Sequence, residues 1–201
     1  MSKQFPFSNR FYIALTNPEK GVALKATLYA ALLALSIIMS ASAQVDVTKA
    51  FFPSGTMGDW SDMALDEAST ENPHMAPYCI KITYTAAQSQ GKGVAGICWQ
   101  YPDSNTGSEP GRNLSNSTRI TFWARGALSN EVAEFSAGGG LSDSFPKVST
   151  GPIILLSQWQ HYTLDLSGQD LSSVTTGFCM TATKNQNPTG SVVYLDEILY
   201  E

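Results

Sequence analysis

Short stretches of alternating apolar and polar residues fill this chain beyond its first forty-odd positions. Residues 78–85 set Tyr78, Ile80, Ile82 and Tyr84 on one face and Cys79, Lys81 and Thr83 on the other. Residues 119–125 alternate strictly, with Ile120, Phe122 and Ala124 against Arg119, Thr121, Trp123 and Arg125. Residues 160–166 put Tyr162, Leu164 and Leu166 inward and His161 outward. A period of two marks a strand with one buried face. Further strands are predicted over 45–52, 94–101, 131–137, 152–156, 174–183 and 191–200. In 131–137, Phe135 faces in and Glu134 out. Segments rich in Gly, Pro, Asn and Ser separate them: 53–60, 102–111, 138–140 and 185–190 read as turns or loops. Residues 61–69 are acidic and fit neither period. Turn signals at such short spacing predict an all-β, antiparallel β-sandwich. No helical pattern lies between the strands, which excludes βαβ units, and no fixed repeat suggests a propeller.

The first 43 residues read differently. Lys3, Arg10, Lys20 and Lys25 form a basic lead, 26–41 is mostly apolar, and Ala41-Ser42-Ala43 is a small-x-small cleavage pattern. The apolar run is shorter than the ~20 residues of a membrane span. We therefore expect a signal peptide over 1–43 and a single exported domain over 44–201, secreted, periplasmic or at the cell surface, with no membrane span. The leader holds four of the 12 basic and one of the 17 acidic residues, which leaves 8 against 16 and a net charge of −8. Such a surface repels nucleic acid and anionic lipid. Export permits a disulfide. The three cysteines, Cys79, Cys98 and Cys179, allow at most one bridge; their apolar strand contexts favour buried free thiols, and if a bridge forms Cys79 with Cys98 is the favoured pairing because their strands follow each other. No C-x-x-C spacing points to a cysteine metal site.

Catalytic signatures are missing from the pattern. There are two histidines, no Ser–His–Asp ordering, no evident carboxylate pair, and no Lys or helix behind Gly138-Gly139-Gly140. An enzyme is not expected. Trp123 is the more informative residue. Facing outward, it is either covered by a loop or its sheet neighbours, or used for binding. Sugar rings present flat C–H faces that stack on indole, and Lys81, Arg125 and Glu134 share its outward parity. A second pattern concerns charge. Asp59, Asp62 and Asp66 lie near the first predicted strand and Asp196 in the last, beside Glu197. A carboxylate in an apolar strand needs water or a cation. If first and last strands are neighbours, these groups could surround Ca²⁺, which takes roughly 6–8 oxygens; ordinary turn chemistry accounts for them equally well.

Five segments, in order, carry a family resemblance: Pro53-Ser-Gly-Thr-Met-Gly-Asp59, Cys79-Ile-Lys-Ile-Thr-Tyr84, Thr121-Phe-Trp-Ala-Arg-Gly126, Trp159-Gln-His-Tyr-Thr-Leu-Asp-Leu166 and Tyr194-Leu-Asp-Glu-Ile198. Through them the chain, from about Phe52 to Glu201, resembles non-catalytic carbohydrate-binding modules of the galactose-binding-like jelly-roll type. The resemblance implies two antiparallel sheets and a glycan held on a concave sheet face or at the rim loops. It implies Trp123 and Trp99 as stacking residues, with Lys81, Arg125 and Glu134 on the hydroxyls. It also implies a structural Ca²⁺ between the N-terminal loop and the last strand, with Asp196, Asp59 and Asp66 as ligands. Two departures mark this copy: Val94 stands where a Trp is usual, and Cys98 where an aromatic is usual. The alternative function is a structural or adhesion-type sandwich that binds a protein partner, within an assembly, and no sugar.

Overall fold

The computed structural model describes residues 44–201, so the expected signal peptide lies outside the described residues. Among them, eleven strands form two antiparallel sheets. In chain order they are β1 (Val45–Asp46), β2 (Phe52–Gly58), β3 (Met63–Ser69), β4 (Cys79–Tyr84), β5 (Val94–Gln100), β6 (Arg119–Gly126), β7 (Val132–Ala137), β8 (Val148–Ile154), β9 (Gln160–Asp165), β10 (Thr176–Thr183) and β11 (Ser191–Tyr200). A one-turn helix, α1 (Val47–Ala50), follows β1, and a 3₁₀ turn (Trp60–Asp62) precedes β3. One sheet runs β3-β4-β11-β6-β9, with β1 paired to the far half of β11; the other runs β2-β5-β10-β7-β8.

The central strands match the period-two reading because each buries one face. Ile82, Ile120, Phe122, Ala124 and Leu195 from the first sheet meet Ile97, Trp99, Phe135, Phe178 and Met180 from the second. Phe122 anchors this layer, with ring centroids 4.8 Å from Phe135 and 5.1 Å from Phe178. Such tilted aromatic pairs add to plain area burial.

The expectations fail at the edges. The predicted strand over 45–52 is broken by α1, where the Asp46 carboxylate accepts the Thr48 N–H and caps the turn. The predicted loop over 53–60 is mostly strand β2, and the ambiguous 61–69 is β3. Both are sheet edges, where Pro and Gly are tolerated, and both bury little on either face, so alternation is not enforced. The same holds for β8, which begins four residues earlier than expected and contains Gly151 and Pro152.

The last strand carries a bulge. Its inward residues are Val193 and Leu195, then Ile198 and Tyr200. The register with β6 slips between Asp196 and Leu199, and Glu197 has φ of 48°. The extra residue lets Asp196 and Glu197 both stay outside the core, which resolves how an acidic pair sits in an otherwise apolar strand.

Candidate functional site

The register of the second sheet builds a furrow on its outer face. Gly55, Cys98, Cys179, Ser136 and Ser149 stand opposite one another on β2, β5, β10, β7 and β8. All are small, so this row is a trough running across the strands. Larger groups flank it: Met57, Thr181 and Glu134 on one side, Gln100, Thr176, the 138–140 turn and Lys147 on the other, with the Lys147 side chain reaching across to Glu134. The hollow measures about 320 Å³. A Cβ at Gly55 would lie 2.8 Å from Gln100 Cδ and 3.0 Å from Cys98 Cβ, and one at Gly96 would meet Thr181 and Met57. Glycine at both positions keeps the floor low. The hydroxyls of Ser136, Thr176 and Thr181 hydrogen-bond no other described residue. Glu134 accepts from Lys147 Nζ and Ser149 Oγ, each at 2.6 Å, and the lysine first, then the serine, hold its carboxyl below the usual glutamate value.

A disulfide forms the middle of the floor. Cys98 is bonded to Cys179, its direct partner across β5 and β10, and Cys79 is a buried free thiol. The expected pairing of Cys79 with Cys98 is therefore corrected. Sheet order puts β5 beside β10, whereas Cys79 sits on β4 in the opposite sheet. Burial pushes the Cys79 thiol up and keeps it protonated.

The residues proposed from sequence as one sugar platform divide three ways. Trp99 is wholly buried between the sheets, its indole N–H without a partner among the described residues. Glu134 belongs to the trough. Lys81, Trp123 and Arg125 share the outer face of the first sheet, as parity predicted, but residues 70–78 fold over that face. The His74 ring stacks on Trp123 with centroids 3.8 Å apart and planes at 18°. Its Nδ1 lies 2.6 Å from Glu197 Oε2. Met75 N–H donates to Asp196 at 2.8 Å. Glu71 takes Lys81 Nζ on one carboxylate oxygen and the Tyr194 hydroxyl on the other, and Lys81 first, then Tyr194, hold it below the usual glutamate value. Arg125 lies 3.7 Å from the Tyr194 ring centroid and donates to Glu71 O at 2.6 Å; Trp159 Nε1 donates to Asn72 O at 3.0 Å. Trp159 and Tyr194, which sequence reasoning left out, are thus part of this face. Their outward parity beside Arg125 was the available signal.

The calcium trio does not assemble. Asp59 is fully buried, and its carboxylate accepts backbone N–H groups from Gln90, Lys92 and Gly93 at 2.6–2.9 Å. Burial alone would raise its pKa, but those three donors hold it below the usual aspartate value. N–H dipoles that point at a carboxylate repel a cation from the same oxygens, so Asp59 does not fit a metal ligand. Asp66 is exposed on β3 and accepts Ala68 N–H. Asp196 is across the outer face, taken by Met75 and Glu197 N–H; burial first, and Glu197 besides, push its carboxyl up. No group of three or more His, Cys, Asp or Glu side chains among the described residues is arranged to hold a metal. Asp62 is likewise committed, to Gln88 N–H and to Ser89.

A second hollow, of about 670 Å³, opens at one end of the sandwich between Leu128, Asn130, Gln186 and Thr189. The hydroxyls of Tyr84 and Ser191 on its wall have no partner among the described residues, but its other buried polar groups are spent. Glu131 accepts Leu128 and Asn130 N–H, and Asn187 holds Val132 through both its backbone groups. The trough, a row of small residues that crosses all five strands of its sheet, is the better candidate for a chain-like ligand.

Among solved structures, the chain is similar to the family 30 carbohydrate-binding module of a cellulosomal cellulase of Clostridium thermocellum, at TM-score 0.52 and 13% identity over 79% of this chain and 96% of that one. It is equally similar to a family 11 carbohydrate-binding module of Clostridium thermocellum in complex with a β-1,3-1,4-mixed-linked tetrasaccharide, at TM-score 0.52 and 13% identity over 78% and 93%. At such identity the likeness is one of fold, and the jelly-roll sandwich expected from the sequence holds at that level. No family model matches the sequence, and none of the curated proteins compared with it does either.

Proposed function

We propose that this chain is a non-catalytic carbohydrate-binding module that takes a glycan chain in the trough across its five-stranded sheet. The observation that carries the reading is the row of small side chains bordered by unspent hydroxyls. A sugar chain needs a long furrow and many single hydrogen bonds, and a polar group left unpaired in such a furrow gains from a polyhydroxylated ligand. The two similar folds are both carbohydrate-binding modules, and the tetrasaccharide of the family 11 structure supports β-linked glucans as the first probes. Glu134 is engaged by Lys147 and Ser149 and held below the usual glutamate value, which supports a binding group rather than a general acid. Export belongs to the same proposal. It rests on the 1–43 pattern and gains support from the Cys98–Cys179 bridge, since disulfides persist in oxidising compartments.

The test is titration of the purified protein with β-linked gluco-oligosaccharides, after a glycan array has ranked them. Thr181→Tyr fills the trough and should weaken binding tenfold or more, about 1.4 kcal/mol. Trp123→Ala should leave that affinity unchanged. Full affinity in Thr181→Tyr, or a collapse in Trp123→Ala, would reject the trough as the site.

A further inference from the structure

Residues 70–78 join β3 to β4, two strands already paired with each other, so no ladder bond depends on where this connection lies. Its own main-chain bonding is slight: Asn72 N–H donates to Thr70 O. What fastens it is the outer face of the first sheet, and in most of those contacts the face donates and the strap accepts. Lys81 and the Tyr194 hydroxyl seat the Glu71 carboxylate. Arg125 and Trp159 donate to the Glu71 and Asn72 carbonyls. The polarity reverses only at the bulge, where Asp196 and Glu197 hold Met75 N–H and His74. Arg125 Nε, buried beneath the strap, has no partner among the described residues.

We infer that this face is a second ligand site, for a glycan that carries an isolated uronic acid, and that residues 70–78 occupy it as a built-in competitor. Each part of the strap stands where a part of such a ligand fits. The uronate carboxylate takes the seat of Glu71 between Lys81 and Tyr194. Arg125 supplies a charge-assisted donor there, with Nε still unused. A neighbouring pyranose ring replaces the His74 imidazole on Trp123. Lys81, Tyr194 and Arg125 lie one row along the strands from Asp196 and Trp123, an offset of two residues or about 7 Å. Asp196 and Glu197 beside Trp123 repel a second carboxylate, so a polyuronate is selected against. The site lies on the opposite sheet from the trough and does not depend on it.

The probe is a xylo-oligosaccharide bearing one glucuronic acid, titrated into the protein and into its Glu71→Gln/His74→Ala variant. The variant should bind at least tenfold more tightly than the unsubstituted protein, and adding Lys81→Ala should remove the gain. The neutral xylo-oligosaccharide and polygalacturonate should gain nothing. A folded variant without gain, or an equal gain for the neutral sugar, overturns the inference. So does a gain only for an acidic peptide with the sequence of residues 70–76, which would make the face a peptide seat. Should the variant not fold, hydrogen exchange on the unsubstituted protein decides. Saturating probe should speed exchange at the Asn72 and Met75 amides, and unchanged rates overturn the proposal.

Discussion

Three backbone N–H groups converge on Asp59, and the residue's role follows from them. It pins the connection between β4 and β5, as Asp62 does a few residues on and as Asp143 does for Thr175 and Thr176 at the other end of the sheet. Asp59→Ala strands those donors, and the melting temperature should fall by more than about 5 °C in a thermal scan. Chelator should leave the melting temperature of the unsubstituted protein where it was; a drop of several degrees would restore a bound cation to the account. Acid acts on the same groups. Asp59, Glu71 and Glu134 have folded-state values below their unfolded ones, so the stability they contribute is present above the usual carboxylate range and is lost as pH falls through their folded values. Asp196, raised, works the opposite way and stabilises on protonation. Asp46, Asp165 and Asp170 are lowered as well, so with six against one a pH series should show stability falling below about pH 4. A flat profile down to pH 2 would contradict these assignments.

Strands were legible in proportion to how much of each was enclosed. β4, β6 and β9 alternate because their inner faces meet the core, whereas the bulge in β11 was not read from the sequence, which left its acidic pair to water or a cation. β2 and β3 were not legible, because they bury little on either face, whereas β9, also an edge strand, keeps Tyr162 and Leu164 against the core. The cysteine pairing was hidden for a different reason. Sequence order suggests neighbours, yet the sandwich interleaves its strands between two sheets, and β5 finds β10 rather than β4. The bridge spans 81 residues, a separation at which closing the loop is worth about 4 kcal/mol in the chain-entropy account. Cys98→Ser/Cys179→Ser should lose about that much stability by denaturant titration. A loss below about 1 kcal/mol would mean that the two central strands are held by the sheet alone.

Across the whole molecule, the sequence showed which residues face outward but not which outward face each belongs to. Lys81, Trp123 and Glu134 have the same parity on their own strands and end on opposite sides of the sandwich. Nor could alternation reveal that residues 70–78 lie over Trp123, since a connection's path is set by contacts remote in sequence. The trough was invisible for a related reason: it is made by the absence of side-chain bulk at Gly55, Gly96 and Ser136, and small residues scattered over three strands carry no periodic signal.

The bridge at the floor of that trough also governs how the domain responds to being pulled. β1 pairs antiparallel with the end of β11, and Gln44 Nε2 donates to Glu201 at 2.7 Å, so tension applied at residues 44 and 201 loads their contacts one pair at a time, as a zip opens. Beyond β5 and β10 the load crosses from Cys98 to Cys179 through sulfur and bypasses everything between them. β6 to β9, with Phe122 and Phe135, would remain slack however hard the ends were drawn. In a single-molecule stretch, the oxidised domain should therefore release about 28 nm less contour length than the reduced one, the extended length of the 81-residue span.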